Sequence, residues 1–359
     1  LQVISRVAEN PLKDARIVFH MKTLDGDENY PLPLKVNGPI EAGLKMDSYD
    51  YSESLRRGGD GYFAPLDRDG WLSLNATRAR TLRPPGDEVS LCTRVWIGPD
   101  GNGTLFFSDF LALAVHPAGL AVGFIGMKTP GGMIFREVPL AIIKRDCWLD
   151  LIIRVGNGVL EFFCNGELKI SVPIKQSLCS PFDDVMQIGA FVWSGPDIND
   201  WKTTGFHNGK IDLVALWGRP LTDSQVAFLS GTDEIIKPAA RDSVSEAILA
   251  YNKFFDASIA KDIDSCTGLW SSLRKLTGSD PYRPVYHLSQ PLGSIFDPAG
   301  AFFYNGQYHV FSYRNIYALL NYCSLDHYVS NDLVHWTEWP IAPWADSHLD
   351  VYGIWLMNH

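Results

Sequence analysis

Along much of the chain, apolar and polar positions alternate in short runs that stop at turn residues. Ala15–Met21 is the first such run, followed by an acidic turn at Leu24–Tyr30 and a Gly- and Asp-rich loop at Arg57–Gly70. The pattern is densest between residues 89 and 172. There the runs are Val89–Ile97, Thr104–Phe107, Phe110–Val115, Leu120–Ile125, Trp148–Val155, Val159–Cys164 and Glu167–Val172. Gly98–Gly103, His116–Gly119, Gly156–Gly158 and Asn165-Gly166 punctuate them. Short strands at turn-marked spacing, with no helical period between them, predict an antiparallel β-sandwich.

A last strand over Ile211–Trp217 gives way to Thr222, whose partner Gln225 stands three residues on. That spacing predicts a capping box and a short helix, with Gly231 as its stop. The period then changes. Ser243 and Glu246 form a second capping-box pattern, and Val244, Ala247, Ile248, Tyr251 and Phe255 recur at helical spacing. A further helix is predicted over Leu269–Leu276, ending at Gly278. Both helices are amphipathic, which suits a packing role between two β regions. After Asp280-Pro281 the β pattern returns. An Asp297-Pro298 turn leads into Ala301–Tyr304, and Asn305-Gly306 joins that run to Gln307–Tyr313, the strongest short-range hairpin signal. Tyr322–Ser330 and Trp336–Ala342 complete a four-stranded meander, the size of one β-propeller blade.

Composition narrows the function classes. At 359 residues the chain has room for two or three domains. The formal net charge is −10 and no run of Lys or Arg forms a basic stripe, which excludes nucleic acid and an anionic membrane surface as partners. No stretch reaches the roughly 18 apolar residues of a membrane span, and no signal-peptide pattern is visible. The six cysteines are scattered without a C-x-x-C pair, so no zinc site is expected and the thiols read as small buried hydrophobes. Asp25, Asp27 and Glu28 read as a solvated loop. Asp100, Asn102 and Thr104 open like a calcium-binding loop but lack the Gly and Glu that complete one. No metal and no cofactor are therefore expected. Trp193 and Trp201 lie in F-V-W-S-G-P-D-I-N-D-W, a polar, turn-rich stretch. Such tryptophans either pack inward or stack their flat faces on sugar rings, and both readings stay open.

Between Arg283 and Trp355 several blocks follow in fixed order: R-P-x-Y-H, D-P-x-G, Y-x-G-x-Y-H-x-F, V-S-x-D-L-V-H-W, P-I-A and D-x-x-G-x-W. Blocks in register are far more specific than one short motif. This order resembles the start of glycoside hydrolase family 32, the β-fructosidases: invertases, inulinases, levanases and relatives. The resemblance implies that this region is the first blade of a five-bladed propeller and that Asp297 occupies the position of the catalytic nucleophile. It also implies substrate-binding positions. The family's Gln in F-Y-Q-Y-N-P aligns with Tyr313, its Trp-Gly-His with Leu325-Asp326-His327, and its W-S-G with Trp355-Leu356-Met357. The W-M-N-D-P-N-G motif is altered here to S-I-F-D-P-A-G. The transition-state-stabilising Asp of R-D-P and the acid/base Glu of E-C come from later blades in the family, and neither motif follows Asp297 in this chain. Upstream, Ile211–Gly231 and the C-N-G-E-L hairpin resemble a laminin-G or concanavalin-like jelly roll.

The expectation is a mainly β chain with three parts. Residues 1–235 form a concanavalin/laminin-G-like β-sandwich, 236–282 a short helical linker, and 283–359 the first blade of a truncated propeller. The expected activity is retaining cleavage of fructosyl linkages in fructans or sucrose-like sugars, in an extracellular or periplasmic setting, with the isolated chain inactive. The partner would be an oligo- or polysaccharide. Two alternatives stand: a non-catalytic carbohydrate-binding protein with a degenerate propeller, or a related five-bladed glycosidase acting on other sugars.

Overall fold

Three Asn-Gly dipeptides fix three hairpins. Asn157-Gly158, Asn165-Gly166 and Asn305-Gly306 all take positive φ, with φ of 52° and 72°, 51° and 77°, and 48° and 80°. A two-residue hairpin loop needs this left-handed pair to match the twist of its strands, and Asn and Gly adopt it at least cost. A computed structural model describes residues 11–20, 56–58, 61–66, 72–74, 86–108, 110–116, 119–129, 132–174, 178, 186–189, 191–193, 202–204, 209–237, 242–260, 262–278, 281, 288–290, 294–315 and 324–339. It divides into two compact units, one of Leu1–Gly126 with Arg136–Ala240, the other of Met127–Phe135 with Arg241–His359.

The first unit contains strands β1 (Ile17–His20), β2 (Arg56–Gly58), β3 (Gly61–Leu66), β4 (Leu72–Leu74), β5 (Val89–Ile97), β6 (Gly103–Ser108) and β7 (Leu111–Val115). Strands β8 (Leu120–Thr129) and β9 (Gly132–Ile142) follow, their adjoining ends within Met127–Phe135 belonging to the second unit. After them come β10 (Cys147–Gly156), β11 (Val159–Cys164), β12 (Glu167–Pro173), β13 (Met186–Ile188), β14 (Phe191–Trp193), β15 (Lys202–Thr204) and β16 (Gly209–Trp217). An eight-stranded sheet runs β12-β11-β10-β5-β16-β3-β2, with β1 also paired to β16. One edge of β16 is long enough to take both partners: Gly209–Ile211 pair with β3 and Leu213–Leu216 with β1. A six-stranded sheet runs β4-β13-β6-β7-β8-β9, and β14 and β15 form a small hairpin.

The two large sheets face one another. A Cβ on Gly123 of β8 would stand 3.5 Å from Ile153 Cδ1 of β10. Leu91, Val95, Leu151, Ile153, Val214 and Leu216 are fully buried on that side. The opposite face of the larger sheet is covered by helix α1 (Asp223–Leu229) and the N-terminal turn Pro11–Asp14. Leu12, Ala15, Leu221, Val226 and Leu229 pack there on Cys92, Ile152, Phe163, Ala215 and Trp217. Thr222 and Gln225 close the capping box, with bonds of 3.2 and 3.0 Å. Arg154 ties the helix start to the sheet, donating to Leu221 O, Asp223 and Glu161. At the other end Arg94, paired with Asp150 at 2.7 Å, also donates to Leu229 O, where a cation suits the helix C-terminus.

Two features differ from the sequence expectation. The Arg57–Gly70 stretch holds β2 and β3, because pairing with β16 and with each other outweighs its poor strand composition. Strand β9, which contains Pro139, was not anticipated; its place at the sheet edge tolerates a residue that cannot donate to the ladder. Among the described cysteines, Cys92 and Cys164 are buried thiols. Burial pushes Cys164 up to about 11 and Cys92 further still.

The second unit contains α2 (Ser243–Ile259), α3 (Ile263–Thr277) and the four-stranded antiparallel sheet β17 (Ser294–Tyr304), β18 (Gln307–Asn315), β19 (Ser324–Ser330) and β20 (Trp336–Trp339). The helices pack through Phe254 and Trp270, whose rings lie 4.7 Å apart, with Ile248, Tyr251 and Leu273 buried beside them. Asp242, not Ser243, caps α2, accepting from Ser245 N at 2.7 Å. Asp262 does the same for α3, so that helix starts a turn and a half before the predicted Leu269. Among the described residues no helix is long and apolar enough to cross a membrane.

Candidate active site

Strand β17 carries the Asp-Pro pair, and its register is broken there. Ile295 faces Arg314, the next pairing is Pro298 with Ser312, and Gly300 then faces Phe311. Three steps on β17 match two on β18, which leaves Phe296 and Asp297 in a bulge. Pro298 has no N–H for the ladder, so a disrupted register is the expected consequence. The pair was anticipated as a turn before the strand; it lies inside it. Bulges of this kind bend a strand and re-aim a side chain, and they recur beside active sites.

The register also places the predicted substrate positions. Tyr313 lies between Ser312 and Arg314, at the level of the bulge, and pairs with Leu325 on β19. His327 is two residues further on, opposite Phe311. The sheet thus places Asp297 and Tyr313 toward the same end of adjacent strands, with His327 at the middle of the next. For Asp297, Tyr313 and Trp193 the strand placement is described but not the side chain. Trp193 ends β14 in register with Lys202, in the first unit. Trp201 and Trp355 lie outside the described residues, as do Asp346 and Asp350.

One face of the sheet is a layer of aromatic rings and imidazoles. His327 stacks on Phe311 at 4.3 Å, and Trp339 meets it edge-on at 5.2 Å. Phe302 stacks on His309 at 5.1 Å. His309 Nδ1 and His327 Nε2 are 2.9 Å apart, and His309 Nε2 is 3.3 Å from Tyr304 O. A carbonyl only accepts, so His309 Nε2 carries the proton given to Tyr304 O. His309 Nδ1 is then the acceptor from His327 Nε2–H, which assigns the tautomer of each neutral ring. Burial, followed by repulsion from His309, holds the His327 pKa below its ordinary value.

The other face is polar and buried. Asp326, opposite Ser312, accepts from Gln290 Nε2 at 2.5 Å and from the Tyr328 hydroxyl at 3.1 Å, both at Oδ2. Beside it, Arg274 of α3 forms an ion pair with Glu338 of β20 and donates to Ser289 O at 2.7 Å. Glu338 is therefore engaged structurally. Asp332 caps its own turn, accepting from the His335 ring and from the backbone N–H groups of His335 and Val334, which holds its carboxyl far below the usual range. Among the described residues no cluster of three or more metal-ligating side chains occurs. The Gln290–Asp326 bond and the His309–His327 pair escaped the sequence reading. The partners stand 36 and 18 positions apart, and only strand register brings them together.

With this geometry described, comparison with known proteins places the segment among the glycoside hydrolases. Residues 287–356 match the family model "Glycosyl hydrolases family 32 N-terminal domain". This segment is thus similar to glycoside hydrolase family 32, in line with the resemblance carried by its motif order. A fructan 6-exohydrolase from Beta vulgaris is 34% identical over 82 residues, covering 22% of this chain and 14% of the relative. A levanase from Bacillus sp. (strain L7) is 41% identical over 69 residues, covering 19% and 7%. The chain thus spans only a small part of the length of the curated relatives it matches. Among solved structures, domain 4 of an extracellular GH43 arabinanase from Geobacillus stearothermophilus aligns with 49% of this chain and 80% of its own, at 19% identity and TM-score 0.37.

Proposed function

We propose that this chain contributes the opening blade of a β-fructosidase-type glycoside hydrolase, with Asp297 as nucleophile. The observation that carries the reading is the family 32 match over residues 287–356 combined with an Asp-Pro pair held in a strand bulge. Asp297 attacks the anomeric carbon of a terminal fructosyl unit and forms a covalent glycosyl-enzyme, which water or an acceptor sugar then resolves. Retention requires a second carboxyl about 5–5.5 Å from the first to act as acid and base. Asp326, Asp332 and Glu338 are each committed to other partners, which leaves that role to residues other than these. Tyr313, His327 and Trp355 would line the sugar site, and no metal or cofactor takes part.

In this reading residues 1–235 form a concanavalin/laminin-G-like sandwich, 236–282 a helical connection and 283–359 the first of five propeller blades. Trp193 and Trp201 of the sandwich would offer flat faces to a polysaccharide, in an extracellular or periplasmic enzyme. The test compares wild type with Asp297→Asn on a panel of fructans, sucrose and aryl glycosides, using both the 359-residue chain and the longest product of the same gene that expresses. Sugar release by the longer product, abolished by Asp297→Asn and absent from the 359-residue chain, is expected. Retained cleavage in Asp297→Asn removes Asp297 from the mechanism. Absence of any cleavage, with binding to the same glycans lost in Trp193→Ala, replaces the enzyme by a carbohydrate-binding protein.

A further inference from the structure

The geometry points to Asp326 as a positioning residue for the strand that carries Asp297, an inference that rests on the nucleophile reading above. Asp326 is only 3% exposed, although a lone buried carboxylate is costly unless several donors satisfy it. Two donors on different elements converge on its Oδ2. Tyr328 belongs to its own strand, but Gln290 stands seven positions before Asp297, on the approach to β17. On the other side of Asp297, Pro298 lies in the cross-strand row Pro298–Ser312–Asp326. Asp326 therefore grips the chain before the nucleophile through a side chain, and shares a sheet row with the residue immediately after it.

The approach segment is held a second time. Arg274, itself fastened to Glu338, donates to the carbonyl of Ser289, the neighbour of Gln290. Gln290 is 6% exposed, and its Oε1 makes no hydrogen bond within the described structure. The Nε2 bond to Asp326 is thus the contact that compensates burial of its amide. Such a clamp matters most where the register is already broken. The bulge at Phe296–Asp297 has given up ladder bonds that would otherwise fix the strand, and an atom misplaced by about 1 Å can cost a nucleophile a hundredfold in rate. The family resemblance aligns Asp326 with a Gly, a residue that offers no side-chain acceptor. This anchor is therefore a property of this chain and not of the shared motif.

Hydrogen exchange of the peptides spanning residues 288–300 in the 359-residue chain tests the anchor directly. Asp326→Ala should raise exchange there by about tenfold, the equivalent of one hydrogen bond to a charged group. Gln290→Ala should do the same, and the double variant should add little to either, because the bond that holds the approach segment, Gln290 to Asp326, is already lost in each single variant. Asp326→Asn should restore protection, since one amide oxygen can take both bonds that now fall on Oδ2. Unchanged exchange in Asp326→Ala, additive effects in the double variant, or a rise spread evenly over β17–β20 would overturn the anchor. In the longest active gene product, Asp326→Ala should lower kcat by about ten- to a hundredfold with KM nearly constant, and Asp326→Asn should recover it. Equal losses in kcat for Ala and Asn, or none for Ala, reject positioning. A product that cleaves nothing before any substitution overturns the nucleophile reading instead, and the exchange result then decides the anchor by itself.

Discussion

Trp217 joins the two ends of the first unit, and replacing it gives a measurable prediction. Its indole is 1% exposed at the end of β16, and its Nε1–H donates to Pro11 O at 2.8 Å across 206 positions of sequence. Trp217→Phe keeps an aromatic ring but removes the donor. Leaving the buried Pro11 carbonyl without a partner costs about 1–3 kcal/mol. The smaller ring leaves a void among Leu12, Cys92, Leu213 and Leu229, which adds about 1 kcal/mol. A total of about 2–4 kcal/mol is a large part of the roughly 5–15 kcal/mol that holds a domain folded. Urea unfolding followed by far-UV circular dichroism reads it, since a slope of about 2–3 kcal/mol/M converts the loss into a midpoint lower by about 1 M. Arg219, which also reaches the N-terminal turn through Asp14, is the control. That pair is substantially exposed, so Arg219→Ala should cost under about 1 kcal/mol. A Trp217→Phe midpoint within about 0.2 M of wild type would refute the argument, because neither the bond nor the packing would then hold the turn to the sheet.

Three further predictions concern other parts of the molecule. Thr93 lies fully buried in the middle of the eight-stranded sheet, between Leu151 and Val214, with a hydroxyl that finds no acceptor. Thr93→Val should raise stability by about 1–2 kcal/mol in the same urea assay, and a loss would mean that the hydroxyl is solvated. Leu333 holds φ at 64°, where a side chain is strained, so Leu333→Gly should stabilise the β19–β20 turn by a few tenths to about 1 kcal/mol; a lower melting temperature would contradict this. The depressed pKa of His327 means that the unfolded chain takes up the proton first. Its contribution is therefore intact above about pH 6.5 and is lost as the pH falls through the folded value. Unfolding monitored from pH 8 to 5 should show an acid-side decline that His327→Gln flattens, and an unaltered slope would remove His327 as its source.

How much of this could be read from the residues depends on how local each signal is. The Asn-Gly turns and the Thr222–Gln225 capping box need only a few adjacent positions, and they fold as their sequences demand. Asp242 took the cap expected of Ser243 because both are good N-caps one position apart, and only the backbone decides between them. The first half of α3 was hidden by Thr267-Gly268, poor helix formers that helix packing overrides. Strand β9 was masked by Arg136, Glu137 and Pro139, which suit an edge but not an alternating pattern. At the candidate site the motif order pointed to Asp297, Tyr313 and His327. The bulge around Asp297 and the Gln290–Asp326 bond depend on register between distant strands, which no local pattern carries.

The central claim is that Asp297 is the nucleophile of a retaining fructosidase, and trapping the intermediate tests it most directly. The longest product of the gene would be mixed with an activated fructoside, quenched in acid during turnover, digested and mapped by mass spectrometry. The account predicts a hexosyl adduct on the peptide containing Asp297, absent from Asp297→Asn. Sugar release with the adduct on another carboxylate, or with no adduct and inverted product stereochemistry, would contradict it.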